Sequence, residues 1–97
     1  MRRDEILALL RDHQAEFGRF GVRSLALFGS FARDEASATS DIDLLVDFEG
    51  SANYDRYIGF KHFLEDTLGC TVDLITARGL KDARMRSIVE REAIRVA

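Results

Sequence analysis

The sequence predicts an α/β (α+β) domain in which helices flank one small mixed β-sheet. Three observations predict it. Segments with three-to-four-residue apolar spacing alternate with short apolar segments, in the order α-β-(α)-β-α-β-α with a short final β. The breaks fall at glycines and polar turns, because the chain contains no proline. Between 41 and 48, Ile42, Leu44, Val46 and Phe48 fall on one face and Asp41, Asp43, Leu45 and Asp47 on the other, which is the period of a half-buried strand.

Residues 4–17 read as the first helix, with Ile6, Leu10, His13 or Gln14, and Phe17 on its inner side and with Gly18 and Gly21 closing it. Residues 22–28 are short and apolar and end at Gly29-Ser30, as a buried strand would. Residues 30–36 suit a short helix entered at Ser30. After the strand at 41–48, Gly50 and Ser51 turn the chain into a helix of roughly 52–68. Tyr54, Tyr57, Ile58, Lys61, Leu64 and Leu68 outline the inner stripe of that helix, and Gly69 stops it. Residues 70–76 form a third strand, about 80–91 a last helix, and 93–96 a short terminal strand.

The bulk composition narrows the function. The 97 residues are expected to form one domain, 1–97, with a modest core. A net charge of −3 argues against general nucleic-acid binding, which needs clustered Lys and Arg, but leaves room for one nucleotide at a local site. The single cysteine, Cys70, rules out an internal disulfide and fits a reducing compartment. Neither a membrane-length apolar run nor a signal peptide is present, so the expected location is cytoplasmic, with no membrane partner.

The chemistry concentrates between 29 and 73. Asp41 and Asp43 sit at i and i+2 on a strand, so both carboxylates project from one face. Two such carboxylates repel unless one takes up a proton or a divalent cation sits between them. Mg²⁺ suits hard oxygen donors of this kind. The plainer reading is a solvent-facing acidic strand face. Gly29-Ser30 follows a buried strand and opens a helical turn, where free backbone N–H groups can face phosphate oxygens. Gly29 removes the side chain that would obstruct them, and the Ser30 hydroxyl can donate to phosphate or cap the helix. Arg33, one turn on, either balances charge on a leaving pyrophosphate or is a solvated surface arginine. Asp73, the one acid on an apolar strand, either completes a carboxylate triad and accepts a proton or is an edge-strand acid facing water. His13, His62 and Cys70 lack partners for chemistry. Tyr54 and Tyr57 read as core or interface, and Arg84, Arg86, Arg91 and Arg95 with Glu90 and Glu92 as a solvated helix or a contact for an acidic partner.

Gly29-Ser30-Phe31-Ala32-Arg33 followed by Ser40-Asp41-Ile42-Asp43-Leu44-Leu45-Val46 resembles the signature of the polymerase-beta-like nucleotidyltransferase superfamily. Within it the chain looks like the minimal nucleotidyltransferase (MNT) group, often paired with a HEPN-domain toxin in toxin–antitoxin systems. The likeness extends to Val72-Asp73-Leu74-Ile75 and to the segment Ile88–Ile94. It implies the nucleotidyltransferase fold, Mg²⁺ held by Asp41, Asp43 and Asp73, and ATP as donor bound by Gly29, Ser30 and Arg33. It also implies AMP transfer to a tyrosine hydroxyl of a cognate HEPN ribonuclease toxin, so that the chain acts as antitoxin. One residue departs from the pattern: a glycine commonly follows the motif arginine, and here it is Asp34. Aspartate tolerates a left-handed backbone better than most residues, while its charge would weaken donor binding.

The short chain has no residues to spare for an acceptor-binding domain, so the acceptor is expected to come from another molecule. The rival expectation is a non-catalytic antitoxin that neutralises its partner by complex formation. A third is transfer to the hydroxyl of a small molecule.

Overall fold

The computed structural model describes residues 1–37, 39–50 and 53–97. The turn expected at Ser51 and the helix start expected at 52 lie outside the described residues.

Helix α1 spans Arg3–Asp12, preceded by an Arg2 N–H that donates to Glu5 Oε1 at 3.1 Å. It stops short of the expected residue 17, and a 3₁₀ stretch continues from Gln14 to Phe20, ended by Gly21 at φ +68° rather than by Gly18. The tighter winding eclipses side chains three apart, so Phe17 and Phe20 point the same way. Both reach Phe60, with ring centroids at 5.5 and 5.3 Å.

Strand β1 is Val22–Phe28 and runs directly into the single turn α2, Gly29–Ala32. Strand β2 is Ile42–Phe48, in which Ile42, Leu44, Val46 and Phe48 are buried and Asp43, Leu45 and Asp47 half-buried, as the alternation requires. Helix α3 spans Tyr54–Leu68, capped by Asn53 Oδ1 accepting from Arg56 N–H at 2.7 Å and stopped by Gly69 in the left-handed region. Strand β3 is Val72–Thr76, shorter than expected because Cys70 and Thr71 belong to the turn. Helix α4, Ala83–Glu92, starts at the Asp82 cap, and β4 is reduced to Ile94–Arg95.

The sheet order is β3-β2-β1-β4, with β1 antiparallel to β2 and β4, and β2 parallel to β3. It is the small mixed sheet the sequence predicts. One face carries the main core, where Leu25, Leu27, Ile42, Leu44 and Val46 meet Ile6, Leu10, Phe60 and Leu64 from the helices. The inner stripe of α3 differs from expectation. Phe60, Leu64 and Leu68 are buried, Tyr57 is half-buried, and Tyr54 in the first turn is 74% exposed. The second face is only partly covered, by α4 and a small cluster of Phe28, Leu80 and Val89 against Leu45 and Ile75. Asp43 lies half-buried on this second face.

The outer edge of β3 is blocked by α3. Val72 N–H donates to Glu65 Oε2 at 3.0 Å, and Tyr57 Oη–H donates to the Leu74 carbonyl at 2.6 Å. Such occupation discourages pairing with a foreign strand.

Candidate active site

Gly29 connects β1 to α2 with φ +76°, a conformation costly for any residue with a side chain. A Cβ at this position would overlap Asp43 Oδ2 and lie 3.0 Å from Asp43 Cγ. Backbone shape and contact therefore both demand glycine, and the turn lies directly against the β2 carboxylate. Helix α2 begins at Gly29 rather than Ser30, with Phe28 as the cap residue, so the Ser30 hydroxyl is not spent on capping.

Register places the acids. Asp43 pairs with Phe28 on β1, the residue before Gly29, and with Asp73 on β3. Asp41 lies exposed one residue before β2. Asp73 is on the edge strand and exposed, as the plainer reading had it, yet it also faces Asp43 across the ladder. Burial, then the neighbouring charges of Asp73 and Asp41, push the Asp43 carboxyl above its ordinary pKa, with Arg33 opposing. This like-charge crowding is what a bound cation would relieve.

Among the described residues no three acidic, histidine or cysteine side chains are gathered around a single point. Mg²⁺ needs no such cage, because one or two carboxylates, waters and substrate phosphates complete its shell. Asp43, with Asp41 or with Asp73, supplies hard oxygens in that number.

Arg33 follows α2 and is not a free surface cation. Its Nη1 donates to Glu92 Oε2 at 2.9 Å and its Nε to Glu35 Oε2 at 3.3 Å. Those bonds, Glu92 first, raise its already high pKa further. Neither glutamate was singled out in the sequence as part of a site. A signal was available for Glu92: it ends α4, where the negative helix terminus disfavours an acid. Asp34 holds φ +59°, the one positive φ of a non-glycine residue among the described residues, so the turn accepts aspartate in place of glycine. Its Oδ2 lies 3.5 Å from Arg2 Nη2, which partly offsets the added charge.

A groove of about 440 Å³ opens beside Asp41, lined by Phe31, Ser37, Thr39, Ser40 and Thr71 among others. A more apolar one of about 320 Å³, beside Tyr54, Tyr57 and Arg78, lies at the far end of β2. At a strand rise of about 3.3 Å per residue, Val46, the lining residue of β2 nearest to Asp43, is roughly 10 Å from it, so this second groove stands apart from Asp43. His13 is occupied by the Leu9 carbonyl, 2.8 Å from its Nδ1, and Cys70 is half-buried.

Known proteins share this sequence pattern and fold. The family described as nucleotidyltransferase domain matches residues 8–96. The protein adenylyltransferase MntA of Thermococcus cleftensis is 39% identical over 94 residues, covering 96% of this chain and 94% of that protein. A solved structure of a candidate minimal nucleotidyltransferase superposes with a TM-score of 0.84 at 38% identity, covering 97% of this chain and 95% of the other. A rebuilt structure of a tri-AMPylated Shewanella oneidensis HEPN toxin in complex with MNT antitoxin shares the fold, with a TM-score of 0.59 at 21% identity over 98% of this chain and 68% of the other. A toxin–antitoxin structure with AMP-PNP gives 0.68 at 22% identity over 100% and 73%. The chain belongs to the nucleotidyltransferase domain family, among its minimal nucleotidyltransferases and protein adenylyltransferases.

Proposed function

We propose that this chain acts as one catalytic unit that transfers AMP from ATP to a tyrosine hydroxyl of a cognate HEPN-domain toxin, and so acts as the antitoxin. The observation that carries the reading is the contact between Gly29 and Asp43, which sets a side-chain-free turn directly against a carboxylate. The relatives named as a protein adenylyltransferase and as an MNT antitoxin bound to an AMPylated HEPN toxin support the choice of donor and acceptor.

In this reading Gly29 lets the triphosphate reach the backbone N–H groups of the first α2 turn. Ser30 adds a hydroxyl donor, and Arg33 balances charge on the leaving pyrophosphate. Asp41 and Asp43, with Asp73 beside them, would hold Mg²⁺, and the ion would neutralise phosphate charge. Asp73 accepts the proton of the attacking hydroxyl. That oxygen bonds to the α-phosphorus as the bond to the bridging oxygen breaks and pyrophosphate leaves. Catalysis is positioning and charge neutralisation rather than covalent chemistry by the protein.

The test incubates α-labelled ATP and Mg²⁺ with the partner toxin. Label should pass to the partner with the wild type and fall at least about 10²-fold with Asp43→Ala. Equal labelling by Asp43→Ala would remove the assigned site. If an Asp41→Ala/Asp43→Ala chain still binds and neutralises the toxin fully, occlusion rather than AMP transfer is the antitoxin mechanism.

A further inference from the structure

We propose that Glu92, the last residue of α4, is a positioning residue that holds the Arg33 guanidinium at the donor phosphates. The inference rests on the donor site proposed above. It starts from a mismatch between local sequence and local structure. A carboxylate at a helix C-terminus faces the negative end of the helix dipole, so helical preference alone argues against glutamate there. Glu92 is nonetheless well placed, with its side chain 29% exposed and 2.9 Å from Arg33 Nη1. Departures from a local rule concentrate where a residue serves something beyond its own element.

The backbone around Glu92 is tied to the phosphate turn. Val89, one turn earlier, is buried, and Ile94, two residues later, pairs with Leu27 on β1. Two residues past Leu27 the chain enters Gly29. Glu92 and the turn are thus anchored on the same strand, and Glu92 meets Arg33 from a fixed base. Glu35 takes Nε from the other side, and neither bond uses Nη2. A long flexible side chain is held in one orientation with donors to spare, and its charge is felt at Asp43. An exposed ion pair made only for stability would contribute little and would not require both glutamates.

Glu92 acts through Arg33, so its removal weakens ATP binding and also slows the step in which pyrophosphate leaves. The experiment compares Glu92→Gln, Arg33→Ala, the double variant, and Glu90→Gln as a charge-matched change on the same helix. It measures the Kd of Mg·ATP, the KM and kcat of AMP transfer to the partner, and the melting temperature. Glu92→Gln should raise Kd and KM by about three- to tenfold and lower kcat by less than Arg33→Ala does, and Arg33→Ala should raise Kd and KM by about tenfold or more. Glu90→Gln should match the wild type. Adding Glu92→Gln to Arg33→Ala should change nothing further, because a residue that acts through another loses its effect when that other is gone. Melting temperatures should stay within about 4 °C of the wild type.

Unchanged or tighter ATP binding by Glu92→Gln overturns the proposal, as does an additive double variant. If the wild type binds ATP and Glu92→Gln binds it equally well, this inference alone falls. If the wild type neither binds ATP nor transfers AMP, the donor-site reading falls and takes this inference with it.

Discussion

Replacing Gly29 by alanine adds one methyl group where the turn after β1 meets the Asp43 carboxylate, and Gly69 provides its control. The two glycines have nearly the same backbone, φ +76° and φ +69°. An alanine in either place carries a left-handed strain of about 1–2 kcal/mol. For a domain of this size that lowers the melting temperature by roughly 4–16 °C. What differs is the surroundings of the new methyl. At Gly69 nothing lies within 4 Å, whereas at Gly29 it overlaps Asp43 Oδ2 and approaches Asp43 Cβ to 3.1 Å. The half-buried Asp43 side chain can rotate away, so the added loss of stability is small, but its carboxylate then leaves its place. A displacement of about 1 Å at a reacting centre costs on the order of 10²-fold in rate. The assay follows melting by circular dichroism and AMP transfer to the partner from labelled ATP. Both variants should melt lower by similar amounts, while Gly29→Ala loses about 10²-fold in transfer and Gly69→Ala stays within about threefold. A folded Gly29→Ala chain as active as Gly69→Ala would refute the link between this turn and Asp43.

Three other outcomes follow from the same geometry. Because the folded-state pKa of Asp43 lies above its ordinary 3.8, the group's contribution to stability is complete below that value and is lost as pH rises through the folded pKa. Asp43→Asn should therefore stabilise the metal-free chain at pH 7 by about 0.5 kcal/mol, the scale of a like-charge cross-strand pair at a solvent-screened site, and should leave it unchanged near pH 3. Denaturant unfolding at both pH values checks this, and an Asn variant less stable at pH 7 contradicts it. Mg²⁺ at ten times its Kd should stabilise the wild type by about 1.4 kcal/mol and an Asp41→Asn/Asp43→Asn chain by almost nothing, read from thermal melts with and without the ion. Phe60→Ala, which removes the fully buried ring between Phe17, Phe20 and Phe48, should cost about 3–5 kcal/mol in the same denaturant assay.

Much of the fold was legible because short-range periodicity reports burial directly. The alternation at 41–48 became β2 with the expected residues buried, since a side-chain period of two cannot slip without exposing the whole apolar set. Element ends were less legible. The first helix gives way to a 3₁₀ stretch from Gln14, where Phe17 and Phe20 pack on Phe60, a partner some forty residues away that no local window contains. Tyr54 fits the apolar spacing of α3, yet it overhangs the core edge and stays in water.

At the candidate site the sequence by itself determined the chemistry on offer: a glycine–serine turn, two acids at strand spacing, a third acid on a later strand, and an aspartate able to hold the left-handed turn at 34. Residue type and short spacing suffice for that, because backbone freedom and carboxylate alternation are local properties. Tertiary structure alone decided who meets whom. The parallel pairing of β2 with β3 put Asp73 opposite Asp43, and the close turn put Gly29 against the same carboxylate. The return of α4 and β4 along β1 brought Glu92 to Arg33 across fifty-nine residues of sequence. Strand register and helix docking are set by summed burial over the whole core, so these meetings exist only once the core has closed.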